Sequence, residues 1–140
     1  MDHSTLKSYS KNKLEIRRLE KRKKLLEIEL RTFTLSSPGF EVTEGQNPNR
    51  NNAGIGYREI QIATRINQID KLIDARALLN AEVEEFLLFC DEESRKIFSM
   101  RFIEGFSFES VEDHTAISRW SFNRIVDRWL EKYNEIREYR

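Results

Sequence analysis

GFSFESVEDHTAISRWSFNRIVDRWL, residues Gly105–Leu130, is the stretch whose reading decides the fold. Gly105 suits the left-handed conformation that ends a preceding helix. Ser107 and Ser118 each precede an amphipathic run, where a side-chain oxygen can accept from the unpaired N–H groups of a helix's first turn. The pattern predicts a short helix over Phe108–His114, a turn at Thr115 and Ala116, and a last helix capped by Ser118. In that helix Phe122, Ile125, Val126, Trp129, Leu130 and Tyr133 share one stripe at three-four spacing, the face to be buried. Arg119, Trp120, Asn123, Arg124, Asp127 and Arg128 take the opposite face.

Immediately upstream, DEESRKIFSMRFI (residues 91–103) reads as a helix with Asp91 as N-cap and acids in its first turn, where the helix dipole favours them. Ile97, Phe98, Met100 and Phe102 are expected to point inward. Three helices with a tight turn before the last form a helix-turn-helix, whose second helix is the one offered to a DNA major groove. Arg and Asn make bidentate contacts with guanine and adenine edges. The candidate DNA-binding residues are therefore Ser118, Arg119, Trp120, Asn123, Arg124 and Arg128. Trp120 has two readings, a contact residue or a side chain covered by a neighbouring helix.

Working outward, residues 57–90 read as a second long helix. Ile55, Ile62, Ile66, Ile69 and Ile73 repeat at threes and fours, and the stripe then shifts through Leu72, Leu79, Val83, Phe86 and Cys90. Such a skip implies that the partner surface changes along the helix. Residues 35–56 hold both prolines and four of the five glycines and read as a flexible linker. Residues 1–34 form a basic, coiled-coil-like helix, helical from residue 5. One seam position is taken by Tyr9, Ile16, Lys23 and Leu30, the other by Asn12, Leu19, Leu26 and Phe33. The first half of the 57–90 helix would pair with it as an antiparallel hairpin, and the second half would pack on the C-terminal domain. The expected architecture is all-α: a long helical hairpin, then a helix-turn-helix domain over 91–140. Two helices leave the Ile-rich face poorly covered, so a homodimer through this arm is expected.

Basic and acidic residues number 24 each, but they are unevenly placed. Residues 1–34 carry ten basic against five acidic side chains, and residues 118–140 carry six against four. That asymmetry marks Lys21, Arg22, Lys23 and Lys24 as candidate phosphate contacts. The single cysteine, Cys90, excludes an internal disulfide and lies in the apolar run FLLFC, where it reads as a core residue. Two distant histidines, His3 in an expected frayed terminus and His114 at a helix end, make no metal set. The pairs Glu84–Glu85 and Glu92–Glu93 read as solvated helix faces. No phosphate-binding glycine loop is present. The expectation is a cytoplasmic protein with no cofactor and no enzymatic activity, free of membrane contact.

From Glu93 to Phe122, ESRKIFSMRFIEGFSFESVEDHTAISRWSF resembles region 4 of sigma-70-type factors. Arg95, Ile97, Phe98, Met100, Arg101, Phe102, Gly105, Ser107, Val111, Ile117 and Ser118 match that pattern in type. Glu112 departs from it, standing where the family has a small Ala packed between two helices. Thr115 and Ala116 depart too, standing where it has Leu-Gly. A Glu at the close-contact position is expected either to splay the helices or to turn its carboxylate to solvent. In its larger layout the chain resembles the small late-transcription regulators of phages of Gram-positive bacteria, the ArpU/RinA-like group. The resemblance implies an activator of phage late genes that binds double-stranded DNA and works with bacterial RNA polymerase. Two other readings stay open: a module that grips polymerase or another host protein without reading DNA, and a small terminase-type DNA-packaging subunit.

Overall fold

A computed structural model gives the backbone of residues 1–36 and 48–139 and the side chains of 1–32 and 56–139. Helices α1 (His3–Lys7), α2 (Tyr9–Ser36), α3 (Pro48–Phe89), α4 (Glu92–Phe98), α5 (Phe108–Thr115) and α6 (Arg119–Glu138) follow in order. A π-helical turn, Ser99–Ile103, continues α4. No strand occurs among the described residues, and none of their helices is long and apolar enough to cross a membrane. Residues 48–56, read as linker, are helical, while 37–47 lie outside the described residues.

The helix ends follow the capping chemistry expected of them. Asp91, Ser107 and Ser118 each accept a backbone N–H from the residue three further on, Ser94, Ser110 and Ser121. Gly105 closes its turn at φ +76°. Ala116 at φ 59° does the same between α5 and α6, although an L side chain is costly there. Thr115 supports that turn, its hydroxyl donating to Val111 O at 2.6 Å and accepting from Ile117 N–H at 3.3 Å. The carboxylate of Glu112 is turned to solvent, and Val111 beside it fills the interior.

The chain forms two compact units, residues 1–15 with 76–140, and residues 16–75. The first is larger than the expected 91–140 domain. Its core joins Phe98, Phe102, Val111, Phe122, Val126, Leu130 and Tyr133 to Val83, Phe86, Leu87 and Cys90 of α3 and to Leu6 and Tyr9. Rings pack edge to face through it, Phe86 on Tyr133 at 5.4 Å and Phe98 on Phe122 at 5.8 Å, an arrangement the ring quadrupoles favour. Arg95 seals the end of α3: its Nε donates to Leu87 O, and its Nη2 donates to Leu88 O and Cys90 O. These are carbonyls that a helix end leaves without partners. Leu6 is fully buried in this core, so a segment expected to belong to the arm shares a compact unit with residues 91–139.

The expected heptad skip in α3 is absent. Ile62, Ile66, Ile69, Ile73, Arg76, Asn80, Val83, Leu87 and Cys90 keep one three-four spacing and are all buried or half-buried, whereas Leu72 and Leu79 are exposed. The seam passes through polar residues because they satisfy one another. Arg76 donates to Asn12 Oδ1 at 2.9 Å, Asn12 donates to Asn80 Oδ1 at 3.3 Å, and Asn80 donates to Tyr9 O at 3.3 Å. Tyr9 donates its hydroxyl to Glu84 at 2.8 Å. These pairings run in opposite senses along α2 and α3, so the two helices are antiparallel there. In the second unit Leu26, Ile62 and Ile69 are buried, with Leu19, Leu30, Ile66 and Ile73 packed around them. Lys23, the one charged seam position, is bound by Asp70 at 2.6 Å.

Candidate nucleic-acid interface

Helix α6 carries two unlike faces. Phe122, Val126, Leu130 and Tyr133 are buried, and Ile125 and Trp129 are half-buried against the same core. Trp129 also donates its indole N–H to Ser94 Oγ at 3.0 Å, which fixes the roll of α6 against α4. That roll leaves Arg119, Trp120, Arg124 and Arg128 exposed and Asn123 half-buried. All lie N-terminal to the helix midpoint, and the serine cap at 118 sets the direction in which the first turn projects.

Trp120 is 67% exposed, so no neighbouring helix among the described residues covers it. Its ring is instead stacked by its own helix, with the Arg124 guanidinium 4.7 Å from the ring centroid. Arg119 lies 4.5 Å from the Phe108 centroid, and Arg101 lies 4.0 Å from the same ring. Phe108 in turn sets its edge on Phe122 at 5.7 Å. A core ring thus orients two guanidinium groups at the start of α6. Both keep most of their five N–H donors, and stacking removes rotamer freedom that binding would otherwise have to remove.

The C-terminal part of the outer face is different. Asp127 accepts a hydrogen bond from His3 Nε2 at 2.5 Å, and since a carboxylate only accepts, Nε2 carries the hydrogen. Asn134 donates to Met1 O at 2.9 Å, and Arg137 pairs with Glu82. His3, expected in a frayed terminus, is instead the first residue of α1 and tied to α6. Helix α1 is itself capped by Asp2, whose carboxyl is held below its usual range by the hydrogen bonds from Thr5. Arg124, Asp127, Arg128 and Glu131 line a shallow open depression of mixed charge. The uniformly basic part of the outer face is therefore its first half, around Arg119 and Arg124.

Four basic residues of α2 were candidates for phosphate contact. Lys21, Arg22 and Lys24 are exposed in the second unit. Lys23 is committed to Asp70, and that bond raises its pKa. Cys90 is buried, and burial pushes its thiol up to about 12, so it is no nucleophile at neutral pH. Among the described residues no three His, Cys, Asp or Glu side chains gather as a metal site would require. Sequence reasoning missed the roles of Phe108 and Arg101. Arg101 could be matched to a pattern, but which ring it meets depends on the π-helical turn. His3 carried no signal at all, because its place against α6 depends on Asp127, far away in sequence.

No protein-family model, no curated protein and no solved structure matches this chain. Function therefore rests on the geometry of this surface and on the resemblance carried by residues 93–122.

Proposed function

We propose that the protein is a DNA-binding regulator of transcription, of the kind phages use to activate late genes, and that α6 lies in the major groove with its first two turns against the bases. The observation that carries this reading is the exposed, stacked array Arg119, Trp120 and Arg124 on a helix whose opposite face is locked into the core. Arg119 and Arg124 supply base-edge or phosphate contacts, Asn123 a base-edge contact, and Trp120 an apolar surface for sugar or methyl groups. Labelled duplexes drawn from late promoters test it by fluorescence anisotropy. Arg119→Ala combined with Arg124→Ala should lower affinity at least tenfold, from about 1–3 kcal/mol per lost contact. Equal binding by wild type and the double variant would sink the proposal.

A protein-gripping role has one observation in its favour. Glu109, Glu112 and Asp113 are exposed on α5 and would repel a phosphate backbone brought close to them. A large exposed tryptophan beside such a surface suits a basic protein partner such as a polymerase subunit. Retention of polymerase by the immobilised protein after nuclease treatment, with no binding to duplex DNA, would select this reading.

A homodimer through the arm belongs to the proposal. Leu25, Ile28, Tyr57, Ile60 and Leu72 are each at least half exposed in the 16–75 unit, apolar surface that a second copy would bury. Sedimentation velocity should give a dimer for the wild type and a monomer for Leu25→Glu with Ile60→Glu. A ring of many subunits would point to the DNA-packaging alternative instead.

A further inference from the structure

We infer that the cleft beside Gly105, lined by Lys7, Ser10, Arg101, Phe102 and Gly105, binds a backbone phosphate of DNA next to the stretch that α6 reads; this rests on the DNA reading proposed above. Its shape comes from the π-helical turn. Glu104 N–H reaches back to Ser99 O and Phe106 N–H to Met100 O, each at 2.9 Å, which widens the turn. Such turns recur at functional sites. Here the widened turn sends Arg101 across Phe106 and Phe108: Nη1 donates to Phe106 O at 2.8 Å, and the guanidinium plane lies on Phe108. One donor is spent, and the others remain on a side chain already held in place. Ser10 Oγ donates to Phe102 O at 3.0 Å and pins the start of α2 to this turn. That contact puts Lys7, exposed and one turn before Ser10, on the cleft wall.

Three features select a phosphate as occupant. Among the described residues, the lining holds two cations and no carboxylate, unlike the mixed depression around Asp127. One of the cations is a pre-ordered guanidinium, the group that best matches a phosphate's planar pair of oxygens. Arg101 and Arg119 share the Phe108 ring at 4.0 and 4.5 Å, so the cleft adjoins the start of α6. That proximity is on the scale of a few nucleotide steps, each about 3.4 Å of rise along one strand. A strand leaving the groove at Arg119 would pass Arg101 and then Lys7.

The test uses the full-length protein and a labelled duplex, with affinity followed between about 50 and 200 mM salt. Lys7→Ala should flatten the slope of log affinity against log salt by about one and weaken preferred and unrelated duplexes by the same factor, because a phosphate contact carries no sequence information. Lys7→Glu should weaken binding further. Lys96→Ala removes an exposed cation outside the cleft and should leave the slope alone. An unchanged slope in Lys7→Ala, while Arg119→Ala with Arg124→Ala still lowers affinity at least tenfold, overturns the cleft but keeps the α6 reading. An equal loss in Lys96→Ala reduces the effect to net charge and overturns the cleft as well. Failure of the wild type to bind any duplex overturns both.

Discussion

The interior of the 1–15/76–140 unit and the seam of the 16–75 unit hold helices together by different means. The first buries fourteen apolar or aromatic side chains in one cluster, with rings meeting edge to face and helix ends closed by Arg95, Asp91 and Ser118. Among the described residues, the second buries three and leaves apolar residues exposed along both of its helices. A core of the first kind makes a rigid platform, so side chains on its outer face can be held to a fixed geometry, as Arg119 and Arg101 are on Phe108. A seam of the second kind is narrow, and its remaining apolar surface is available to another chain. That difference is why the proposed reading of DNA is assigned to the first unit and the proposed pairing to the second.

Phe98→Ala empties the centre of the ring cluster and should cost about 3–5 kcal/mol in denaturant unfolding, whereas Ile69→Ala, in the much smaller cluster of the seam, should cost about 2 kcal/mol. Equal costs would erase the distinction. Arg95→Ala strands three carbonyls at the end of α3 and should cost about 2 kcal/mol. Arg95→Lys should recover little of it, since an ammonium cannot reproduce the fork.

Alkaline pH should also act on the first unit. Burial, then the hydrogen bond to Glu84, raises Tyr9 from 10.0 to about 12, and burial raises Cys90 from 9.0 to about 12. Both groups are neutral below their unfolded values, so the stability they contribute is fully present below pH 9 and is lost as the pH climbs toward 12. Thermal melting across that range should fall steeply, and Tyr9→Phe should make the fall shallower. An unchanged slope in that variant would remove Tyr9 as a cause.

The smallest effect is expected at Ala116→Gly. Relief of an L residue at φ 59° is worth about 1–2 kcal/mol, partly offset by the freedom glycine adds to the unfolded chain. A melting temperature a few degrees higher is the expected result. A lower one would mean that the turn draws more from the alanine methyl than from its backbone.

Much of this was legible in the residues. The capping serines, Asp91, Gly105 and the inner stripe of α6 follow local rules, and local rules survive folding. The α2 heptad was legible too, since Tyr9, Asn12, Ile16, Leu19, Lys23, Leu26 and Leu30 are among its less exposed positions while Leu14, Leu25 and Ile28 face water; the side chain of Phe33 lies outside the described residues. At Leu72 and Leu79 periodicity points to the wrong face of α3, because it weighs apolarity, and a polar seam satisfied by Arg76, Asn12 and Asn80 leaves no apolar trace. The docking of Leu6, His3 and Lys7 on the domain was illegible for a different reason: it depends on residues 80–127, and nothing local encodes it.

If the first half of α6 is the surface that meets DNA, as proposed, Trp120 reports on it. Trp129→Phe leaves Trp120 as the sole tryptophan, on the exposed face. Titration with duplex DNA should quench or shift its emission to saturation, at the concentration where anisotropy shows binding, and added salt should reverse it. Emission from Trp120 that stays unchanged while the duplex binds would contradict the claim.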